Sequence, residues 1–144
     1  IQNATSGLTG PRVVLARTDG ADPLMISGIE SRLAQVFRNL ITNAATFSPS
    51  DGVISITISA EPLEVHIDVD DEGPGIPPGN EEKIFQRFYT ERADSEKFGT
   101  HSGLGLSISQ QIIEAHRGEI RAGNRFDKEG NVLGARFTVR LPLT

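Results

Sequence analysis

The apolar stripe between residues 27 and 48 constrains the fold of this chain more than any other feature of the sequence. Its apolar residues recur at intervals of three and four, the spacing of one buried helix face: Leu33, Val36, Phe37, Leu40, Ile41 and Ala44. Ser27 and Glu30 stand three apart ahead of the stripe, which is the spacing of a capping box, and Ser48-Pro49 follows it. We therefore predict an amphipathic helix that begins at Ser27–Glu30 and ends at Ser48.

Five further segments have the composition or the alternation of β-strands: residues 13–16, 53–59, 63–71, 119–124 and 135–141. The second and third are separated by Glu61-Pro62 and predict an antiparallel hairpin with one buried face. A second long helix is predicted from Leu104 to His116, with Gly118 ending it, and a short helix over residues 81–88. We expect these elements to form one compact domain, because 144 residues bury one core but are few for two.

Composition and charge exclude several classes of protein. A net charge of -5 argues against a nucleic-acid partner, since such proteins carry a clustered basic face. The chain has no cysteine, which excludes disulfides and thiolate metal sites and is compatible with a reducing compartment.

The first residues are small and polar, so we expect 1–11 to be a linker or the end of a preceding helical segment, and 12–144 to be the domain itself.

The predicted third strand directs a carboxylate toward the core. Leu63, Val65, Ile67 and Val69 share the core-facing parity, and Asp71 falls on the same parity. A buried charge must find hydrogen-bond donors, and the exocyclic amine of adenine is one such donor. The following glycines of the segment DEGPGI would let a flat base approach the main chain. The alternative is a turn in which Asp71 accepts only from local amides.

Two asparagines lie one helical turn apart on the polar side of the first helix. Asn39 and Asn43 can therefore face one pocket. An amide oxygen is a neutral ligand suited to Mg²⁺, which keeps waters and substrate phosphates in its coordination shell. The alternative is that both side chains simply face solvent.

A glycine-rich run opens the second helix, and an aromatic segment precedes it. Gly99 and the segment Ser102–Leu106 can offer main-chain amides to a phosphate at a helix N-terminus, although a flexible linker has a similar composition. The segment IFQRFY, residues 84–89, is typical of an amphipathic helix end packed on the core. Its Arg87 can also reach a phosphate.

Taken together and in this order, the segments resemble the ATP-binding superfamily of DNA gyrase B, heat-shock chaperones, mismatch-repair proteins and histidine kinases. Within it they are most similar to the catalytic domain of sensor histidine kinases. The resemblance covers roughly residues 13–143. It rests on an N box, a first glycine box, a phenylalanine box, a second glycine box and a closing strand: RLAQVFRNLITNAATFSP, DEGPGI, IFQRFY, SGLGLSI and GARFTVRLP.

The resemblance implies a Bergerat-type α/β sandwich, a mixed sheet of about five strands with three helices packed on one face. It implies ATP and Mg²⁺ as ligands, Asn43 as the magnesium ligand, Asn39 on the phosphate side, and Asp71 on the adenine amine, with Asn39, Asn43 and Arg87 as catalytic residues. The loop over residues 90–102 would be the lid. The remaining nucleotide contacts implied are Gly73, Gly75, Ile76, Phe88, Tyr89, Gly99, Thr100, His101, Ser102, Gly103, Leu104, Gly105 and Leu106.

Three positions depart from the family pattern. Thr46 stands where relatives often carry a basic residue, Thr90 where they often carry arginine, and His101 where they often carry glycine. We therefore expect fewer phosphate contacts than in a typical member. Neither His66 nor His116 lies in the setting of a phosphoacceptor histidine.

The resemblance predicts a domain that donates the γ-phosphate of ATP to a histidine on a separate dimerisation hairpin, with a response-regulator receiver downstream. We expect the isolated domain to be monomeric and to belong to the cytoplasmic part of a membrane-bound sensor. Three alternatives stay open: an ATP-hydrolysing clamp, an anti-sigma-type serine kinase, and a degenerate nucleotide-binding module. Clamp relatives place a water-activating glutamate where this chain has Asn39, and an amide is no general base.

Overall fold

The computed structural model describes residues 10–17, 24–86 and 105–144. These residues form five strands, two α-helices and one 3₁₀ helix. The strands are β1 (Arg12–Arg17), β2 (Val53–Ala60), β3 (Glu64–Asp70), β4 (Glu119–Phe126) and β5 (Val132–Pro142), and the helices are α1 (Glu30–Phe47), α2 (Gly105–Ala115) and the 3₁₀ helix (Lys83–Phe85). No helix in this described part of the chain is long and apolar enough to cross a membrane.

The five strands form one mixed sheet in the order β1-β2-β3-β5-β4. Strand β1 runs parallel to β2, whereas the pairs β2–β3, β3–β5 and β5–β4 are antiparallel. The predicted hairpin of β2 and β3 is confirmed, with Ile58 opposite Ile67. Because β5 lies between β3 and β4, the end of β3 adjoins the tip of the β4–β5 hairpin.

One face of the sheet is apolar and packs against the helices. Every second residue of β3 and β5 is buried there, and the stripe of α1 joins the same core. Phe85 of the 3₁₀ helix meets Phe137 of β5 edge to face, with ring centres 6.1 Å apart. The predicted α/β sandwich is therefore confirmed. Within the described residues the short predicted helix is the 3₁₀ helix.

Two local expectations about the edges of elements were wrong. Leu63 is 82% exposed, because β3 begins only at Glu64 and Leu63 lies in the preceding turn. The predicted capping box is also absent. The N-cap residue of α1 is Ile29, whose side chain makes no capping hydrogen bond.

A distant histidine takes the place of the capping box. The Ile29 N–H donates to His116 Nε2 at 3.0 Å, and His116 Nδ1 lies 2.7 Å from the Ile112 carbonyl oxygen. Because Nε2 accepts from the Ile29 amide, Nδ1 is left as the donor to the Ile112 carbonyl. A Cβ on Gly28 would lie 2.5 Å from the ring, so this contact requires glycine there.

The C-terminus of α2 ends in a Schellman motif. The Gly118 N–H bonds to the Ile113 carbonyl and the Arg117 N–H to the Glu114 carbonyl. The left-handed residue is Arg117, at φ 62°, and not the glycine beside it. Gly118 is required for a different reason, because a Cβ there would lie 2.2 Å from the Arg140 carbonyl oxygen.

Replacing Arg117 with glycine is expected to stabilise the domain. A left-handed conformation strains a residue with a Cβ, so Arg117→Gly should raise the free energy of unfolding by about 0.5–1 kcal/mol. Urea unfolding would measure the change. The matched control is Gly118→Ala, which should lower stability through the clash with Arg140, and a lower midpoint for Arg117→Gly would contradict the assignment of strain.

Candidate functional site

Asp71 lies directly after β3 and is 3% exposed, so the predicted inward carboxylate is present. Its Oδ1 accepts from two main-chain amides, Gly73 N–H and Ala135 N–H, each at 2.9 Å. Neither bond uses Oδ2. The Asp71 amide in turn donates to the Ala135 carbonyl, which continues the β3–β5 pairing one residue beyond the strand. The carboxyl group is thus held in one orientation by its neighbours on two sides.

Burial raises the pKa of the Asp71 carboxyl above its usual value, because water no longer solvates the charge. The amide bonds from Ala135 and Gly73 oppose this rise, as does the positive charge of Arg125. The adjacent Asp70 adds to the rise through charge repulsion. Two main-chain amides and the Arg125 cation thus oppose, without cancelling, the effect of burial on this carboxyl group.

The two glycines after Asp71 make room for neighbouring parts of the protein. A Cβ on Gly73 would lie 2.7 Å from the Phe47 carbonyl oxygen, at the end of α1. Gly75 has φ +85°, and a Cβ there would lie 2.7 Å from both Asn124 Oδ1 and Val132 Cγ1. These contacts bring the segment 71–76 against both the helix with the asparagine pair and the β4–β5 hairpin.

Asn124 holds the same segment and was missed in the sequence. Its Oδ1 accepts from Ile76 N–H at 2.7 Å, and its Nδ2 donates to the Ile76 carbonyl at 2.9 Å. Ile76 itself is buried, so Asn124 satisfies two main-chain groups that lie away from water. The available signal was parity, because Asn124 is a polar residue on the core-facing side of β4, in step with Ile120 and Ala122.

Asn39 joins the two helices. Its Nδ2 lies 3.3 Å from the Gly105 carbonyl oxygen and 3.3 Å from Ser109 Oγ, both in the first turns of α2. Ser109 is fully buried, and sequence reasoning did not select it. The structure thus brings Asn39 and Gly105 together, as the predicted site requires. Leu106, the next predicted residue, is half-buried and packs against the core.

Asn43 lies one turn further along α1 and is half-buried. In the part of the chain that the structure describes, its side chain makes no hydrogen bond. The nearby Thr46 hydroxyl donates to the Thr42 carbonyl at 2.9 Å, within its own helix. The Asn43 amide is therefore not used by the described residues, whereas the Asn39 amide links α1 to α2.

Several predicted residues lie outside the described ranges. They are Arg87, Phe88, Tyr89, Gly99, Thr100, His101, Ser102, Gly103 and Leu104. Their assignment stays a prediction. The described part of the site consists of the end of α1, the segment 71–76, the first turn of α2 and the β4–β5 hairpin.

The order and placement of these motifs agree with comparison to known families. Residues 28–144 match the family described as "Histidine kinase-, DNA gyrase B-, and HSP90-like ATPase". The chain belongs to this family. The relatives within this family include sensor proteins and sensor histidine kinases, and the similar solved structures include catalytic domains of histidine kinases.

Among relatives of this histidine kinase-like ATPase domain, the sensor protein ChvG of Rhizobium meliloti (strain 1021) is 47% identical over 119 residues, covering 82% of this chain and 21% of that protein. The chain therefore spans about a fifth of that relative. The catalytic domain of histidine kinase ThkA matches with a TM-score of 0.74 and 30% identity, over 91% of this chain and 79% of that one. Full-length ShkA, solved in complex with AMPPNP, matches with a TM-score of 0.76 and 26% identity, over 99% and 27% respectively.

Proposed function

We propose that this domain binds MgATP and donates the γ-phosphate to a histidine on a separate helical hairpin of the same sensor kinase. The observation that carries the proposal is the buried Asp71 carboxylate, which two main-chain amides hold through Oδ1 alone. Support also comes from the similarity to ShkA, whose structure contains the ATP analogue AMPPNP. The whole protein's signal and partners lie beyond this domain.

In this proposal, Asp71 selects the base. A carboxylate oxygen accepts a hydrogen bond from the 6-amino group of adenine, whereas guanine presents a 6-oxo acceptor that the carboxylate repels. The domain should therefore prefer ATP to GTP. Gly73, Gly75 and Ile76 belong to the same segment, so their main chain would line the base side of the site.

Asn43 would hold the magnesium ion, together with the phosphates of ATP and with waters. A half-buried amide oxygen with no hydrogen bond to the described residues fits this ion, which takes neutral oxygen ligands and keeps substrate phosphates in its shell. The ion would neutralise charge on the phosphates. Gly105 begins α2, so its turn would carry the positive end of the helix dipole toward the phosphates.

Transfer is favoured over hydrolysis by the residue one turn before Asn43. Asn39 is an amide, and its Nδ2 lies at hydrogen-bond distance from α2. An amide has no basic group with which to deprotonate a water molecule. The chemistry then depends on positioning the γ-phosphate for an external nucleophile. That nucleophile would be the histidine of a dimerisation hairpin, and a receiver domain in the cytoplasm would take the phosphate next.

The isolated domain is therefore expected to bind ATP without turning it over. We expect negligible phosphate release when the purified domain is incubated with γ-labelled ATP and magnesium. Adding the dimeric hairpin from its own parent protein should produce a label on the hairpin that acid removes and base does not, as expected for phosphohistidine. Rapid phosphate release by the domain alone would favour an ATP-hydrolysing clamp, and an acid-stable label would favour a serine kinase. Absence of binding would favour a degenerate module.

A further inference from the structure

Two consecutive residues at the end of β4 hold the segment 71–76 from opposite faces of the sheet. Neighbouring residues of a strand point to opposite faces. Asn124 lies on the core-facing side and bonds to both main-chain groups of Ile76. Arg125 lies on the other side, in step with Arg121, and its Nη2 donates to the Asp71 carbonyl oxygen. The segment that follows β3 is thus fixed at both ends by one pair of side chains.

Arg125 reaches Asp71 across Gly134, its partner in β5. The register of β4 and β5 pairs Arg125 with Gly134, and it shifts immediately afterwards, between Arg125 and Phe126. A Cβ on Gly134 would lie 2.0 Å from the Asp71 carbonyl oxygen and 3.1 Å from Arg125 Nη2. Gly134 therefore opens the space through which the guanidinium reaches Asp71.

The guanidinium occupies this place at an energetic cost. Arg125 Nε is buried and has no hydrogen-bond partner among the described residues. Such groups are uncommon in folded proteins, because a buried donor without an acceptor loses its hydration without compensation. An apolar side chain at this position would pack without burying an unpaired N–H group such as Arg125 Nε. The position of Arg125 therefore calls for a role in which its charge or its bond to Asp71 is used.

Several charged side chains lie around Asp71, and each has a different partner. Asp70 lies beside it and raises its pKa through charge repulsion, while the Arg136 guanidinium pairs with Asp70 through bonds of 2.7 and 2.9 Å. Glu72 accepts from the Val53 amide at 2.9 Å. Arg125 forms no ion pair with a carboxylate side chain of the described residues. Its positive charge lowers the pKa of the Asp71 carboxyl and so opposes the effect of burial.

We propose that Arg125 is a positioning residue of the base site, which fixes the main chain of Asp71 through its carbonyl oxygen and places a positive charge near the carboxyl group. Together with the amides of Ala135 and Gly73, Arg125 then extends to lower pH the range over which adenine nucleotides bind. This inference rests on the proposed function, in which the charged Asp71 accepts from the adenine amine. Arg125 does not itself contact the base.

The test is calorimetric titration of the domain with MgATP from pH 8 to pH 5, for the parent chain and for Arg125→Met. Binding requires the charged carboxylate, so affinity falls as the pH drops through the pKa of Asp71. Without the cation that pKa is higher still, and the fall begins at higher pH. We expect the ratio of affinities at pH 8 and pH 5.5 to be at least about threefold larger for Arg125→Met than for the parent.

Two further variants separate charge from structure. Arg125→Lys retains the cation and should keep the parent pH profile, whereas Arg125→Gln retains donors without charge and should behave like Arg125→Met. The Lys and Gln pair also carries the test if Arg125→Met does not fold. Arg121→Met is the matched control, because Arg121 lies on the same side of β4, pairs with Glu119 and is 72% exposed. It should leave the profile unchanged.

The outcomes distinguish this inference from the proposed function. If the parent chain binds ATP no better than GTP, the proposed function fails before any variant is measured. If the parent selects ATP but Arg125→Met or Arg125→Gln keeps the parent pH profile, the role of Arg125 is refuted and the proposed function stands. Equal changes in the Lys and Gln variants would also refute it, because the charge would then have no effect.

Discussion

An Asp71→Asn variant is expected to fold at least as stably as the parent at neutral pH and to lose most of its affinity for ATP. Asparagine keeps an oxygen for the two amides that Asp71 Oδ1 accepts from, those of Gly73 and Ala135. Those bonds fix the orientation of the amide, so Nδ2 takes the place of Oδ2. A donor then faces the adenine amine, which is itself a donor. Losing one charge-assisted hydrogen bond costs about 1.5–3 kcal/mol, so affinity should fall by at least tenfold.

The difference in stability between Asp71→Asn and the parent should depend on pH in a defined direction. Burial raises the pKa of Asp71 in the folded protein, so the folded state favours the protonated form and the charged form is destabilising. The stabilisation from protonation is complete below the unfolded pKa and is lost as pH rises through the folded pKa. The advantage of asparagine over aspartate therefore grows with rising pH over that interval and is complete above it. Urea unfolding at pH 4 and pH 8 would measure it.

Asp68→Asn is the matched control for the Asp71 substitution. Asp68 belongs to β3, which ends just before Asp71, and accepts from the Thr138 hydroxyl at 2.7 Å on the open face of the sheet, a bond that asparagine can keep. Its ATP affinity should equal that of the parent. Unchanged ATP affinity in Asp71→Asn itself would remove Asp71 from the base site.

Much of the fold could be predicted from sequence, because the pattern of burial repeats with the period of each element. The stripe of α1 and the alternation of β3 follow directly from which side chains meet the core. The ends of elements were less predictable. The N-terminus of α1 is capped by His116, which is 87 residues away in sequence, so no local signal could identify it. Leu63 has the correct parity but precedes the strand.

The site could be predicted only where a residue's own parity or spacing carried the information. Asp71 was found because it continues the buried parity of β3, and Asn39 and Asn43 because they share one helix face. Asn124 and Arg125 were missed, because their contacts depend on the register of β4 and β5 and join positions 48 and 54 residues apart. Gly73 and Gly75 were predicted to let a base approach the main chain, and this stays a prediction. Their described neighbours are Phe47 and Asn124.

Asn43→Ala is expected to slow phosphoryl transfer strongly while leaving the domain folded. The Asn43 side chain makes no hydrogen bond to the described residues, so its removal takes no hydrogen bond from them. Alanine is also the better helix former, which offsets any lost packing. If Asn43 holds the magnesium ion, its loss removes several kcal/mol of charge stabilisation at the transferring phosphate. Transfer to the hairpin should slow by about 10²–10³-fold.

Asn39→Ala provides the contrast that makes this result interpretable. The Asn39 amide links α1 to the Gly105 carbonyl and to Ser109, so its loss should lower the free energy of unfolding by about 1 kcal/mol. Asn43→Ala should leave the urea midpoint within error of the parent. Its transfer rate should recover in part at raised magnesium, because a weakened metal site fills again by mass action. A parent-like transfer rate in Asn43→Ala would remove the metal assignment. A large loss of stability would instead mean that Asn43 serves the fold, as Asn39 does.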